Sequence, residues 1–268
     1  MAPYMMLWNF KSKNNIYYTV HDLHPHEVNK SSIIHNLLHK YINWGYKRLC
    51  DLAQHLTTSS FAQYEELKHI YPNKNIEFTH FPSLVTPQII RGEKRVPELI
   101  GEVGYILFFG SVDKYKGTDL LIDAYKKSQI YGNLKLVIAG KGKETATDKI
   151  EDPYIIRINR FIEDIEVKDL FSKALFVVYP YRSATMSGVL SIAYYFKKKV
   201  LLSSIPFFKE NASSLTSFFE CGSCEDLCFQ LEKLYKTSQI DEVQKDCYEM
   251  IYSDIVLKND YHRLYIHS

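Results

Sequence analysis

The chain has 268 residues, 46% hydrophobic and 24% charged, with a formal net charge of +2. That composition belongs to a globular protein with core enough for one large domain or two small ones, and it excludes the disordered and fibrous classes. Charge so near balance argues against a dedicated nucleic-acid binder, which carries a basic face, and no apolar run reaches the ~18 residues of a membrane span.

Taken in order, the chain opens on MAPYMMLWNFKSK, which lacks the length and cleavage site of a signal peptide, so the expected location is cytoplasmic. Residues 16–20 (IYYTV) read as a strand and 32–54 as a long helix with Ile34, Leu38, Tyr41, Ile42, Leu49 and Leu52 on one face. Residues 55–58 (HLTT) form the next strand. Ser60 with Gln63 makes a capping box for a helix through His69, and 76–79 form a third strand. From 81 to 101 the pattern fades into PSLVTPQIIRGEKRVPELIG, whose three prolines and mixed charge mark a linker. Past it, strands recur at 105–109 (YILFF), 134–139 (LKLVIA), 154–158 (YIIRI), 175–179 (LFVVY) and 200–203 (VLLS), with helical segments between. Near-continuous apolar strands separated by helices mean a parallel sheet covered on both faces, with ligands at the carboxyl ends of its strands. The five cysteines include Cys221, Cys224 and Cys228, which lack a fourth zinc ligand nearby and read as reduced thiols on a strand end and the following helix.

The loops at those strand ends carry the chemistry. In FFGSVDKYKGTDLLIDA (108–124) a strand runs through Gly110 and Gly117 into an amphipathic helix, with Lys114 and Lys116 adding charge and Thr118 as the expected N-cap. Free backbone N–H groups and the helix dipole make such an N-terminus attractive to anions. Its spacing is neither a Walker A loop nor a dinucleotide fingerprint. Gly140-Lys141-Gly142-Lys143 is flexible and cationic, and Asn159-Arg160-Phe161-Ile162 offers main chain and an aromatic for a nucleobase. Residues 180–189 (PYRSATMSGV), with Tyr181, Thr185, Ser187, Gly188 and Val189, form a second anion-binding helix start. Two such termini at one crevice suit a diphosphate. A rival reading starts from His21-Asp22-Leu23-His24-Pro25-His26-Glu27, whose H-x-H after a strand resembles the metal site of barrel hydrolases. It has no second His pair at a strand end, since His55, His69 and His80 are isolated.

Together, FFGSVDKYKGTDLLIDA, LKLVIAGKG and NRFIEDIEVKDLFSKALFVVYPYRSATMSGVLSIAYYFKKKVLLSS, over about 101–252, resemble the donor domain of retaining GT-B glycosyltransferases, the group often called family 4. IYYTVHDLHPHE looks like the end of that family's N-terminal acceptor domain. The resemblance implies an α/β, GT-B-like fold of two Rossmann-like parallel-sheet domains. Residues 1–95 would be a partial acceptor-side domain, 96–252 the nucleotide-sugar domain, and 253–268 a helix packing back on the first. It implies sugar transfer with retention from a nucleotide-diphosphate donor to a saccharide or lipid-linked acceptor in surface polysaccharide synthesis, at the inner face of a membrane and with no required metal or other cofactor. The implied donor residues are Gly110, Ser111, Lys114, Lys116, Gly140, Arg160, Phe161, Tyr181, Thr185, Ser187, Gly188 and Val189. His21 and Asp22 would lie beside the reacting sugar, and His24, His26 and Glu27 on the acceptor side. Three departures stand out. Where the family carries two glutamates eight positions apart, this chain has Thr185 and Ala193, or Ile192 with a one-residue gap. The arginine often found after the first glycine is Ser111, with Lys114 as a substitute. Several strand and helix units that precede the His-Asp loop in the family are missing before His21, so an exposed edge and apolar faces are expected on the first sheet, favouring a second chain or self-association. A nucleotide-binding fragment or subunit without turnover is the third reading.

Overall fold

The computed structural model describes residues 16–23, 33–142, 152–185, 187–238 and 247–266. The chain divides into two compact units, Met1–Phe81 with Leu257–Ser268, and Pro82–Val256.

In the first unit, β1 (Tyr17–Thr19), α1 (Ile33–Leu52), β2 (His55–Thr58), α2 (Phe61–Ile70) and β3 (Asn75–Phe78) alternate, and the strands pair in parallel in the order β1-β2-β3. The register sets Tyr18, Leu56 and Ile76 in one row, and that face packs with Cys50, Ala53 and Leu67 into the unit's core. Alternation along a strand sends the neighbouring rows, Tyr17-His55-Asn75 and Thr19-Thr57-Glu77, to the opposite face. There the Tyr17 and His55 rings stack at 4.3 Å, the Thr19 and Thr57 hydroxyls are 2.9 Å apart, and Asn75 Nδ2 is 3.1 Å from a His55 ring nitrogen. Arg263, on the C-terminal helix of the chain, donates to Glu77 at 3.2 Å. This face of the sheet is polar, because every second position of these strands is Tyr, Thr, His, Asn or Glu.

The second unit begins with the segment expected to be a linker, which is folded. Thr86 caps α3 (Pro87–Arg91) by accepting from Ile89 N at 3.2 Å, Pro87 starts the helix, and Gly92 ends it in the left-handed conformation. Ile89, Val96 and Leu99 are buried in the main core. Prolines and charges signal a loop, but those three apolar side chains decide where it goes.

The sheet of this unit comprises β4 (Tyr105–Phe109), β5 (Leu136–Ala139), β6 (Ile155–Ile158), β7 (Ala174–Tyr179), β8 (Val200–Ser203) and β9 (Thr216–Phe219). All pairings are parallel, in the order β6-β5-β4-β7-β8-β9. The connecting helices are α4 (Thr118–Lys127), α5 (Asp164–Lys173), α6 (Val189–Tyr195), α7 (Pro206–Glu210), α8 (Cys224–Ser238) and α9 (Cys247–Tyr252). The C-terminal helix α10 (Asp254–Ile266) follows. Ile106, Leu107 and Phe108 of β4 are fully buried, as a central parallel strand requires. Chain order reverses around β4, with β5 on one side and β7 on the other. The loops leaving β4 and β7 therefore border the switch point where open α/β sheets bind ligands. No helix among the described residues is long and apolar enough to cross a membrane.

Candidate functional site

At the end of β4 the chain passes Gly110, makes a short 3-10 turn at Lys114–Lys116 and enters α4 through Gly117. The N-cap is Gly117, and Thr118, expected there, is the first helical residue. A hydroxyl cap needs extended backbone. Here the turn needs φ 68°, and a Cβ at Gly117 would overlap the Pro180 carbonyl oxygen. Among the described residues no side chain caps α4 at its N-cap.

Strand pairing continues beyond the strands themselves. Gly110 N donates to Ala139 O at 3.0 Å, Val112 N to Lys141 O at 2.9 Å, Gly140 N to Ile158 O at 3.0 Å and Gly142 N to Asn159 Oδ1 at 2.9 Å. Gly140 has φ 146°, and a Cβ there would overlap the Gly110 carbonyl. The three loops after β4, β5 and β6 thus form one backbone shelf.

Lys116 lies over that shelf and is only 9% exposed. Its Nζ is 5.1 Å from the Tyr181 ring centroid and 5.7 Å from that of Tyr115, and it makes no hydrogen bond or ion pair among the described residues. Burial lowers its pKa, with the Asp113 charge pulling the other way. Tyr181, 1% exposed, has a buried hydroxyl with no well-aligned hydrogen bond among the described residues. Burial pushes its ionisation up, and the nearby Ser187 hydroxyl draws it only part of the way back. Both groups aim at Gly110: the position a Cβ would take is 3.3 Å from Lys116 Nζ and 3.9 Å from the Tyr181 hydroxyl.

The other expected donor residues are placed as follows. Ser111 donates to Asp113 at 2.7 Å, and Lys114 is exposed on the 3-10 turn. Arg160 is held by two carboxylates: its guanidinium makes two bonds to Glu98, at 2.8 and 3.0 Å, and two to Glu166, at 2.8 and 3.0 Å. Arg160 holds the Glu98 carboxyl below its ordinary range; burial alone would raise Glu166, but Arg160, the Glu163 backbone N–H and Lys94 together bring it below its ordinary range. Phe161 beside it is 72% exposed. Thr185 is half-buried in the loop after β7. Gly188 precedes α6 without a side-chain cap, and that helix has only 7 residues, so its dipole is short. The Ser191 hydroxyl donates to Gly188 O at 2.6 Å and accepts from Leu84 N at 2.9 Å. Ile192 and Ala193, at the second glutamate position of the family pattern, are buried in the core and present no polar group.

Sequence reasoning missed Arg182. Its fork donates to both Asp119 oxygens at 2.8 Å, Nη1 also donates to Lys114 O at 2.8 Å, and its backbone N donates to Tyr115 O at 2.7 Å. Arg182 holds the Asp119 carboxyl below its usual range. Partners this far apart in the chain leave no spacing signal. Cys221 Sγ points at the carbonyls of Tyr181 and Arg182, at 3.7 and 3.6 Å.

In the first unit, His21 is exposed just past β1 and Asp22 is half-buried, with a buried Oδ1 that has no partner among the described residues. Gln63 fixes their loop. Ser60 accepts from Gln63 N at 3.4 Å, but the expected reciprocal half of the capping box is absent. The Gln63 side chain instead accepts from Leu23 N at 2.6 Å and donates to His21 O at 3.3 Å. Gln63→Ala is expected to cost about 1–3 kcal/mol, because it leaves loop groups unpaired. Urea unfolding measures this, and faster amide exchange at Leu23 locates it. His24, His26 and Glu27 lie outside the described residues. Among the described residues no group of three or more His, Cys, Asp or Glu is placed to hold a metal ion.

Residues 104–236 match the family model "Glycosyl transferases group 1". A search of curated protein sequences returns no match. Among solved structures, sucrose-phosphate synthase from Thermosynechococcus elongatus is similar with a TM-score of 0.67 and 13% identity, over 99% of this chain and 72% of that one. Anabaena HepE in complex with UDP and glucose gives 0.69 and 13%, over 97% and 75%. WaaG, a glycosyltransferase involved in lipopolysaccharide biosynthesis, gives 0.60 and 15%, over 91% and 70%. A chain that alternates strand and helix into parallel sheets, carries its glycine and lysine loops at a switch point and is similar over its length to those structures has the GT-B fold, and its residues 104–236 are similar to the glycosyl transferases group 1 family.

Proposed function

We propose that the chain transfers a sugar, with retention and without a required metal, from a nucleoside-diphosphate donor to a saccharide or lipid-linked hydroxyl. The supporting observation is the buried Lys116 ammonium, packed against aromatic rings, beside the start of α4 and the buried Tyr181 hydroxyl, which has no well-aligned hydrogen bond among the described residues. A desolvated cation is costly, the exposed Asp113 carboxylate offsets only part of that cost, and an anion bound there relieves more of it. As the sugar departs, negative charge grows on the β-phosphate. A lysine and helix N–H groups already aimed at it then stabilise the transition state more than the ground state. The donor is assigned to the six-stranded unit, with the Phe161 face available to a nucleobase. The acceptor is assigned to the three-stranded unit, with His21 and Asp22 beside the reacting sugar and His24, His26 and Glu27 around the acceptor. HepE, solved with UDP, makes a uridine donor the first to test. A role in surface polysaccharide synthesis at the inner face of a membrane completes the reading.

One observation favours a second reading, nucleotide binding without turnover: buried Ile192 and Ala193 leave α6 with no carboxylate for a donor hydroxyl. Calorimetric titration of the metal-free protein with UDP, GDP and ADP tests the shared premise. Saturable binding of one nucleotide is expected, and none with any of the three in folded protein rejects the donor site. Release of that nucleotide from its sugar conjugates, followed over time, then separates transfer from binding alone.

A further inference from the structure

We infer that Arg182 is a positioning residue of the donor site, which acts by neutralising Asp119 at the mouth of the anion cradle. The inference rests on the donor reading above. Asp119 stands in the first turn of α4. A carboxylate there is favourable to the helix dipole but repels any phosphate that uses the same N–H groups. Arg182 answers it with a two-pronged pair at 2.8 Å for each bond. The same guanidinium lies 3.6 Å from where a Gly117 Cβ would be, directly over the N-cap. It also holds the Lys114 carbonyl, while its backbone N holds that of Tyr115, so the loop after β7 is tied to the two residues that precede Lys116 in the 3-10 turn. Tyr181, whose buried hydroxyl aims at Gly110 with no well-aligned hydrogen bond among the described residues, is the adjacent residue and is set by the same tie. Two roles are thus combined in one side chain, mechanical and electrostatic, and they are separable. Removing Asp119 as well as Arg182 abolishes the need for neutralisation but does not restore the tie.

The test titrates wild type, Arg182→Ala, Arg182→Lys, Asp119→Asn and the double variant Arg182→Ala/Asp119→Asn with UDP, GDP and ADP, with melting curves to establish that each is folded. Arg182→Ala is expected to weaken the nucleotide that binds wild type by roughly tenfold, the scale of one charge-assisted interaction, and the deficit shrinks as salt rises. Arg182→Lys, which keeps the charge without the fork, falls between them. Asp119→Asn binds at least as tightly as wild type, and the double variant recovers most of the lost affinity. A double variant as weak as Arg182→Ala overturns the proposal and leaves Arg182 a purely structural tie. Equal affinity of Arg182→Ala and wild type overturns it as well. Failure of the wild-type protein to bind any of the three nucleotides overturns the donor reading itself, and is told apart from the other two outcomes because it precedes any comparison of variants.

Discussion

Gly140→Ala is expected to destabilise the Pro82–Val256 unit by about 3–5 kcal/mol, the sum of a backbone conformation closed to side chains and an overlap that has to be relieved. The overlap is with the carbonyl of Gly110, so the obstacle is main chain within a paired shelf and no rotamer change relieves it. For a unit of this size the melting temperature should fall by roughly 6–20 °C. Gly101→Ala is the control. Gly101 also has positive φ, 86°, but a Cβ there meets nothing within 4 Å, so only the conformational cost of about 1–2 kcal/mol applies. Equal losses at the two positions would mean that close approach of the β4 and β5 loops contributes nothing.

The largest functional effect is expected at Lys116. Lys116→Ala should weaken binding of the nucleoside diphosphate by about 1.5–3 kcal/mol, or roughly 10- to 150-fold, the range for a charge-assisted hydrogen bond. An unchanged dissociation constant would remove Lys116 from the site. Its sign in stability runs the other way. Burial lowers the folded-state pKa of this lysine, so the protonated form costs stability below that value, and the cost is relieved as pH rises toward the ordinary ~10.4. Lys116→Met should therefore fold at least as stably as wild type at neutral pH while losing affinity. The same shift predicts linked protonation. A bound diphosphate raises the Lys116 pKa again, so between the lowered and the restored values binding takes up protons. Titrations at alkaline pH in two buffers of different ionisation enthalpy measure that uptake, and Lys116→Ala should lack it.

Much of this was legible because it is local. YILFF, LFVVY and VLLS are uninterrupted apolar runs, which only a strand buried on both faces accommodates, and each falls within one residue of its strand. The glycines after Phe109 could be read as a tight turn into a helix for the same reason, since backbone freedom is a property of single residues. What escaped depends on residues distant in the chain. Thr118 looks like an N-cap until Pro180 is brought against Gly117. Gln63 completes a capping box on paper, but the His21 loop offers it better partners. The bonds that Arg160 donates to Glu98, and Arg182 to Asp119, join residues too far apart in the chain to leave a spacing signal. Short β9 has mixed polarity along a sheet edge, so it carries no apolar run to announce it.

The contact between Gly110 and Gly140 also couples the lengths of two loops. With main chain against main chain and pairing carried on to Val112 and Gly142, neither loop can gain or lose a residue beside its glycine without breaking step with the other. Grafting a new loop after β4 therefore means replacing both loops as a matched pair, whereas the stretch leading out of β7 lies outside that lockstep.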